Sequence, residues 1–173
     1  MYKRQAERIH ALGGRLAIHA MSAEAIADAI EAGFDSIEHG TFMEQSQLVH
    51  LAEQGKAWTP TRSIDTLVRS MVREMNWPTE AIADLDGGFD GQPAMVAAAV
   101  DAGVTILAGS DACNPTDIPG AGLHVELAKL VQAGMTAAQA LKAATFDNAT
   151  FLAGPDADFG TIAVGKRADL VLV

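Results

Sequence analysis

The chain has 173 residues, 49% of them hydrophobic and 20% charged, a mix that can bury a sizeable core and argues against disorder. Its net charge of −10 and pI near 4.7 would repel a polyanion, which argues against nucleic acid or an anionic membrane as partner. A single cysteine, Cys113, permits no internal disulfide, and with no leader behind Met1 and no apolar run of the roughly 18 residues a span needs, a cytoplasmic chain is expected over an exported one.

Tyr2 to Leu12 carries Ala6, Ile9 and Leu12 at helical spacing and stops at Gly13-Gly14. The stretch has no N-terminal cap, so the sequence reads as beginning inside a longer domain. Arg15 to Ala20 gives a strand ending at His19; Ser22 then caps a helix whose Ala25, Ile26, Ala29 and Ile30 form its apolar side as far as Gly33. Asp35 to His39 repeats the arrangement, with a helix over Gln45 to Gln54 closed by Gly55. Ala57-Trp58-Thr59 is a third short strand, stopped by Pro60.

From Arg62 to Gly91 the pattern predicts helix to about Asn76, a break at Trp77-Pro78, and a second helical piece from Thr79 toward Leu85. This insertion is expected to lie over the site. Pro93 to Ala102 reads as a separate alanine-rich helix ended by Gly103, delivering the chain into an uncharged strand, Thr105 to Ala108. A loop with Asn114-Pro115 and Pro119-Gly120 precedes helices over Leu123 to Gln132 and Ala137 to Ala144, the latter capped by Thr136. The tail, Gly160 to Val173, reads as two short strands around a Gly-Lys turn.

Four strand-helix alternations predict parallel strands with right-handed crossovers. Eight strands close a (β/α)₈ barrel of about 250 residues, so four units fit half of one. The expected fold is therefore α/β: residues 1–153 form half of a TIM barrel, and residues 154–173 add short β-strands.

Three strands end near a chemically versatile group: His19, His39 and, after Gly109-Ser110, Asp111. Active sites of α/β folds are assembled at strand carboxyl ends. Two imidazoles and a carboxylate on one rim suit a divalent cation such as Zn²⁺, with a position left for water. A cation acidifies water, and a nearby carboxylate can take the proton and return it to a leaving group. Singly, each residue has a plainer role: a hydrogen-bonding histidine, or an aspartate that caps the next helix. His10 and His50 sit in helical stretches and are expected to be solvated.

The segments Ala17-Ile18-His19-Ala20, Gly33 to Thr41 and Ala102 to Ala112 resemble strands five, six and eight of the amidohydrolase superfamily. The run Gly134 to Thr145 and the tail Gly160 to Val171 resemble its final helices and its return to a β-sandwich. The nearest flavour is the imidazolonepropionase and Xaa-Pro dipeptidase-like branch. The resemblance implies strands 5–8 of the barrel and metal-dependent hydrolysis of an amide or cyclic amide bond in a small molecule or dipeptide. One or two ions, most simply zinc, would bind to His19 and His39, with Asp111 as ligand and general base. His124 matches a position near the substrate in related enzymes, and a helix-surface or capping role suits it equally.

The family's first-strand His-x-His pair has no counterpart, and no lysine stands at a strand end upstream of His19. Two expectations follow. The chain is the carboxyl-terminal half of a hydrolase, inactive until an amino-terminal half joins it, or it is a non-catalytic half-barrel that self-associates into a binding or structural module.

Overall fold

The computed structural model describes residues 2–112 and 118–172. Four strands, β1 (Ala17–Ala20), β2 (Ser36–His39), β3 (Ala57–Thr59) and β4 (Thr105–Ile106), form one sheet in sequence order, and every pairing is parallel. Helices α1 (Tyr2–His10), α2 (Ala23–Ala32), α3 (Gln45–Glu53), α4 (Asp65–Glu74), α5 (Thr79–Asp101), α6 (Ala121–Gln132), α7 (Ala137–Lys142) and α8 (Asn148–Ala153) connect and follow the strands. No described helix is long and apolar enough to cross a membrane.

The local chemistry explains the boundaries. The Ser22 side chain accepts the Ala25 N–H, and Gly33 ends α2 in the left-handed region at φ 87°. Thr136 and Gln139 form a reciprocal capping box at the start of α7. Register sorts the strand side chains into two faces. Ile18 pairs with Ile37, Ile37 with Trp58, and Trp58 with Ile106. This apolar face packs on Ile26, Leu48, Val96 and Leu130, all at 0–1% exposure, and each such burial contributes about 2 kcal/mol. The other face carries Ala17, His19, Ser36, Glu38, Ala57, Thr59 and Thr105.

Three expectations are corrected. The pieces expected over Thr79–Leu85 and Pro93–Ala102 are one helix of 23 residues, α5, which runs through Gly87, Gly88, Gly91 and Pro93. Packing overrides the poor local propensity. Val96 and Ala99 are fully buried, and a Cβ on Gly88 would come within 2.7 Å of the Phe42 ring. Ion pairs from Arg69 to Asp86 and Asp90, and from Arg73 to Asp86, join α5 to α4. After α7 the chain does not leave the helix but passes through a π-helical stretch, Ala143–Asp147, into α8.

The third correction is the tail. No strand forms from Gly160 to Leu172, and Ile162, Val164 and Leu172 are at least 90% exposed. A strand requires a neighbouring ladder to hold its N–H and C=O groups; the tail has the isolated bond from Arg167 N–H to the Asp158 carbonyl at 2.7 Å, which is not a ladder. The Asn114-Pro115 part of the expected loop, like Cys113 and Val173, lies outside the described residues.

Candidate functional site

His19 is the third residue of β1 and His39 the last of β2. By strand alternation they belong to opposite faces, because Ala20, not His19, stands in register with His39. The rings nevertheless converge, with centroids 4.5 Å apart in an edge-to-face arrangement. The cause is the backbone of His39, which turns into the left-handed region at φ 72°. That conformation is costly for a residue with a Cβ and persists only when its surroundings fix it.

The fixing groups are visible. The His39 carbonyl accepts the indole N–H of Trp58 at 3.1 Å and the side-chain amide of Gln92 at 2.9 Å. Both donors are at most 2% exposed. Gly40 follows at φ 58°, and a Cβ there would lie 2.6 Å from the same indole nitrogen. The ring itself is held through Nδ1, which stands 2.7 Å from the Thr61 hydroxyl. That hydroxyl gives its proton to the Pro60 carbonyl at 2.8 Å, so Nδ1–H donates to Thr61 and the lone pair of a neutral His39 lies on Nε2. Burial holds the His39 imidazole below its ordinary pKa, the His19 ring acts in the same sense, and the Asp111 charge opposes both. Neutral imidazole is the form that binds metal.

Asp111 follows β4 on an exposed stretch and also has a left-handed backbone, φ 54°. It lies within electrostatic reach of His39. Ahead of it the ladder extends one bond past β4, from Leu107 N–H to the Trp58 carbonyl at 2.9 Å. The next described helix, α6, has Gly120 at its N-cap position, so Asp111 does not cap it. His124 lies exposed on α6, and among the described residues no hydrogen bond or ring contact links it to His19 or His39. His50 is exposed as expected, but His10 is not merely solvated: its Nε2 is 2.8 Å from Asp35, which also takes the Leu16 N–H and Lys56. Burial works to raise the Asp35 pKa, but these bonds outweigh it and the net direction is down.

Among the described residues no three His, Cys, Asp or Glu side chains are gathered closely enough to hold a metal ion. The donor chemistry at His19 and His39 still fits one: two imidazoles together, one of them neutral with its Nδ1 hydrogen anchored, is the arrangement that second-shell bonds produce around bound metals. Thr61, Trp58 and Gln92 were not anticipated from sequence, since their partners lie 19 to 53 residues away.

Residues 2–173 match the profile of the Amidohydrolase family. An uncharacterised protein of Mycobacterium tuberculosis is 34% identical over 160 residues, which span 86% of this chain and 40% of that protein. Ochratoxinase of Aspergillus niger is 32% identical over 155 residues, 88% of this chain and 31% of that enzyme. Among solved structures, a Xaa-Pro dipeptidase with methionine bound in its active site superposes with a TM-score of 0.82 at 30% identity, covering 96% of this chain and 40% of that one. The chain thus spans well under half the length of these relatives.

Proposed function

Because this chain belongs to the amidohydrolase family, we propose that it supplies strands 5–8 of a (β/α)₈ hydrolase that cleaves amide or cyclic amide C–N bonds in dipeptide-like substrates. The convergence of His19 and His39, produced by the left-handed backbone of His39, carries this reading. These two imidazoles would hold a divalent ion, most simply zinc, with the Asp111 carboxylate drawn in as a further ligand only when the ion binds; the bound ion would polarise the scissile carbonyl and acidify water.

The chain's own residues have these roles. Thr61 keeps the His39 hydrogen on Nδ1. Asp111 accepts a proton from water as the water oxygen bonds to the carbonyl carbon, and it passes that proton to the departing nitrogen as the C–N bond breaks. His124, on the helix after Asp111, would contact substrate in the assembled enzyme. The remaining ligands come from an amino-terminal half, so the chain alone should bind metal weakly and hydrolyse nothing.

The test joins this chain to the amino-terminal half of a related enzyme, loads Zn²⁺, and assays Xaa-Pro dipeptides, N-acyl amino acids and cyclic amides. Asp111→Asn should lower turnover by about 10²-fold or more, the range of a lost general base. Turnover unchanged by that substitution sinks the role of Asp111. The self-associating module is favoured by one observation, the apolar side chains of Ile162, Val164 and Leu172 left in solvent. Sedimentation of the chain alone as a discrete, metal-free oligomer would support it.

A further inference from the structure

Glu126 takes no part in that chemistry, yet it is a completely buried carboxylate, at 0% exposure. It lies on α6. One of its oxygens accepts the backbone N–H of Ser63 at 2.7 Å, and the other has no hydrogen-bond partner among the described residues. One turn of helix further on, Lys129 donates to the Arg62 carbonyl at 2.7 Å and pairs with Asp65. The same face of α6 therefore grips both sides of the 3-10 turn Arg62–Ile64. From that turn the Ser63 hydroxyl donates to the Ser110 carbonyl at 2.9 Å. Ser110 precedes Asp111, whose left-handed backbone needs support from outside itself. The residue just before the turn, Thr61, is the one that anchors His39.

We propose that Ser63 and Glu126 are positioning residues for the hydrolytic site: a clasp that ties the loop after β3 to the loop after β4 and fixes Asp111 relative to His39. The clasp rests on the role proposed above for Asp111. A buried acceptor that is only partly satisfied is a costly way to close a helix onto a turn, since an apolar side chain would fill the same space without stranding an oxygen. Such departures from local rules gather where geometry is being held for function.

The experiment uses the full chain with Co²⁺ alone as probe, and two measurements. The first is the φ-dependent backbone coupling of Asp111 by NMR; the second is Co²⁺ affinity. Ser63→Ala, which removes only a hydroxyl from a half-buried position, should move the Asp111 coupling away from its left-handed value. It should also weaken Co²⁺ about fivefold, the effect of one ordinary hydrogen bond. Ser63→Thr should restore both, and Glu126→Gln should come closer to the parent than Glu126→Leu, because its amide oxygen can still accept the Ser63 N–H. In an Asp111→Asn background Ser63→Ala should have no further effect on Co²⁺. An Asp111 coupling unchanged in Ser63→Ala overturns the clasp, whatever Glu126→Leu does to folding. If Asp111→Asn itself leaves Co²⁺ binding unchanged while Ser63→Ala still moves the coupling, the clasp stands and the ligand role of Asp111 falls.

Discussion

His39 and Thr61 are joined by a 2.7 Å bond between Nδ1 and Oγ1, and the threonine proton is engaged by the Pro60 carbonyl. The pair therefore selects the imidazole tautomer as well as the ring orientation. Thr61→Val preserves the shape of the side chain and removes the acceptor. Affinity for Zn²⁺ or Co²⁺ is expected to fall about tenfold or more, as for other partners that orient a metal-binding histidine. Calorimetric titration measures this directly, and an unchanged affinity would mean that the ring is oriented by something else.

Gly40→Ala strikes the same assembly from behind. At φ 58° a side chain is strained, and the new methyl would stand 2.6 Å from the Trp58 indole nitrogen and 2.8 Å from the end of Met43. Trp58 is at 0% exposure and cannot step aside cheaply. A loss of about 3 kcal/mol is expected in urea unfolding, combining backbone strain with overpacking. A loss below about 1 kcal/mol would show that the indole can move without disturbing the His39 carbonyl it binds.

Gln92 donates to two carbonyls, those of His39 and Pro60. Gln92→Leu keeps the bulk and takes one donor from each acceptor, leaving them the Trp58 N–H and the Thr61 hydroxyl, so a destabilisation of about 2 kcal/mol is expected from the two lost bonds. Hydrogen exchange should localise the effect to the loops after β2 and β3. A uniform change across the sheet would contradict the local role.

Glu126 gives the stability a particular pH dependence. Burial raises its pKa to about 7, while the Ser63 N–H and the charges of Arg62 and Lys129 pull it back. The folded state therefore binds the proton more tightly than the unfolded chain. Its contribution is complete below the ordinary carboxylate pKa of 4.5 and is lost as pH rises to about 7, a decline of about 3 kcal/mol. Asp35 and Asp65 act oppositely. Burial works to raise both, but their hydrogen bonds hold them below 3.8, so their contribution is lost as pH falls beneath that value. Urea midpoints measured from pH 4 to 8 for the parent and Glu126→Gln isolate the Glu126 contribution, since the other titrating groups, His39 included, are common to both. Parallel curves would contradict a buried carboxyl that titrates near neutrality.

The strand-helix alternation was legible because its punctuation is local: Ser22, Gly33, Gly55, Pro60 and Thr136 act on the backbone within a few residues of themselves. The amidohydrolase resemblance was legible for the same reason, in short runs around His19, His39 and Asp111. The unity of α5 was not, because Gly87, Gly88, Gly91 and Pro93 argue locally for a break that Val96, Ala99 and the Phe42 contact overrule. The convergence of the two histidines was legible in their places at the ends of neighbouring strands, but the means was not, since it depends on a single dihedral in His39 that reverses strand alternation. The sequence offered only His39-Gly40 as a hint. The tail failed in the opposite way: Leu170 to Val173 has the composition of a strand, but composition supplies no partner.

Arg15, just ahead of β1, reaches the carbonyls of Thr150 and Phe151 in α8 and lies over the Phe151 ring, 5.3 Å from its centroid. Its partners are 135 and 136 residues downstream. On a ribosome adding about 5–20 residues per second, Arg15 waits roughly 7 to 27 seconds for them. Throughout that interval β1 can pair with β2 but cannot be latched at its base. The order of synthesis thus leaves the residues entering β1 without this clamp until α8 has been made.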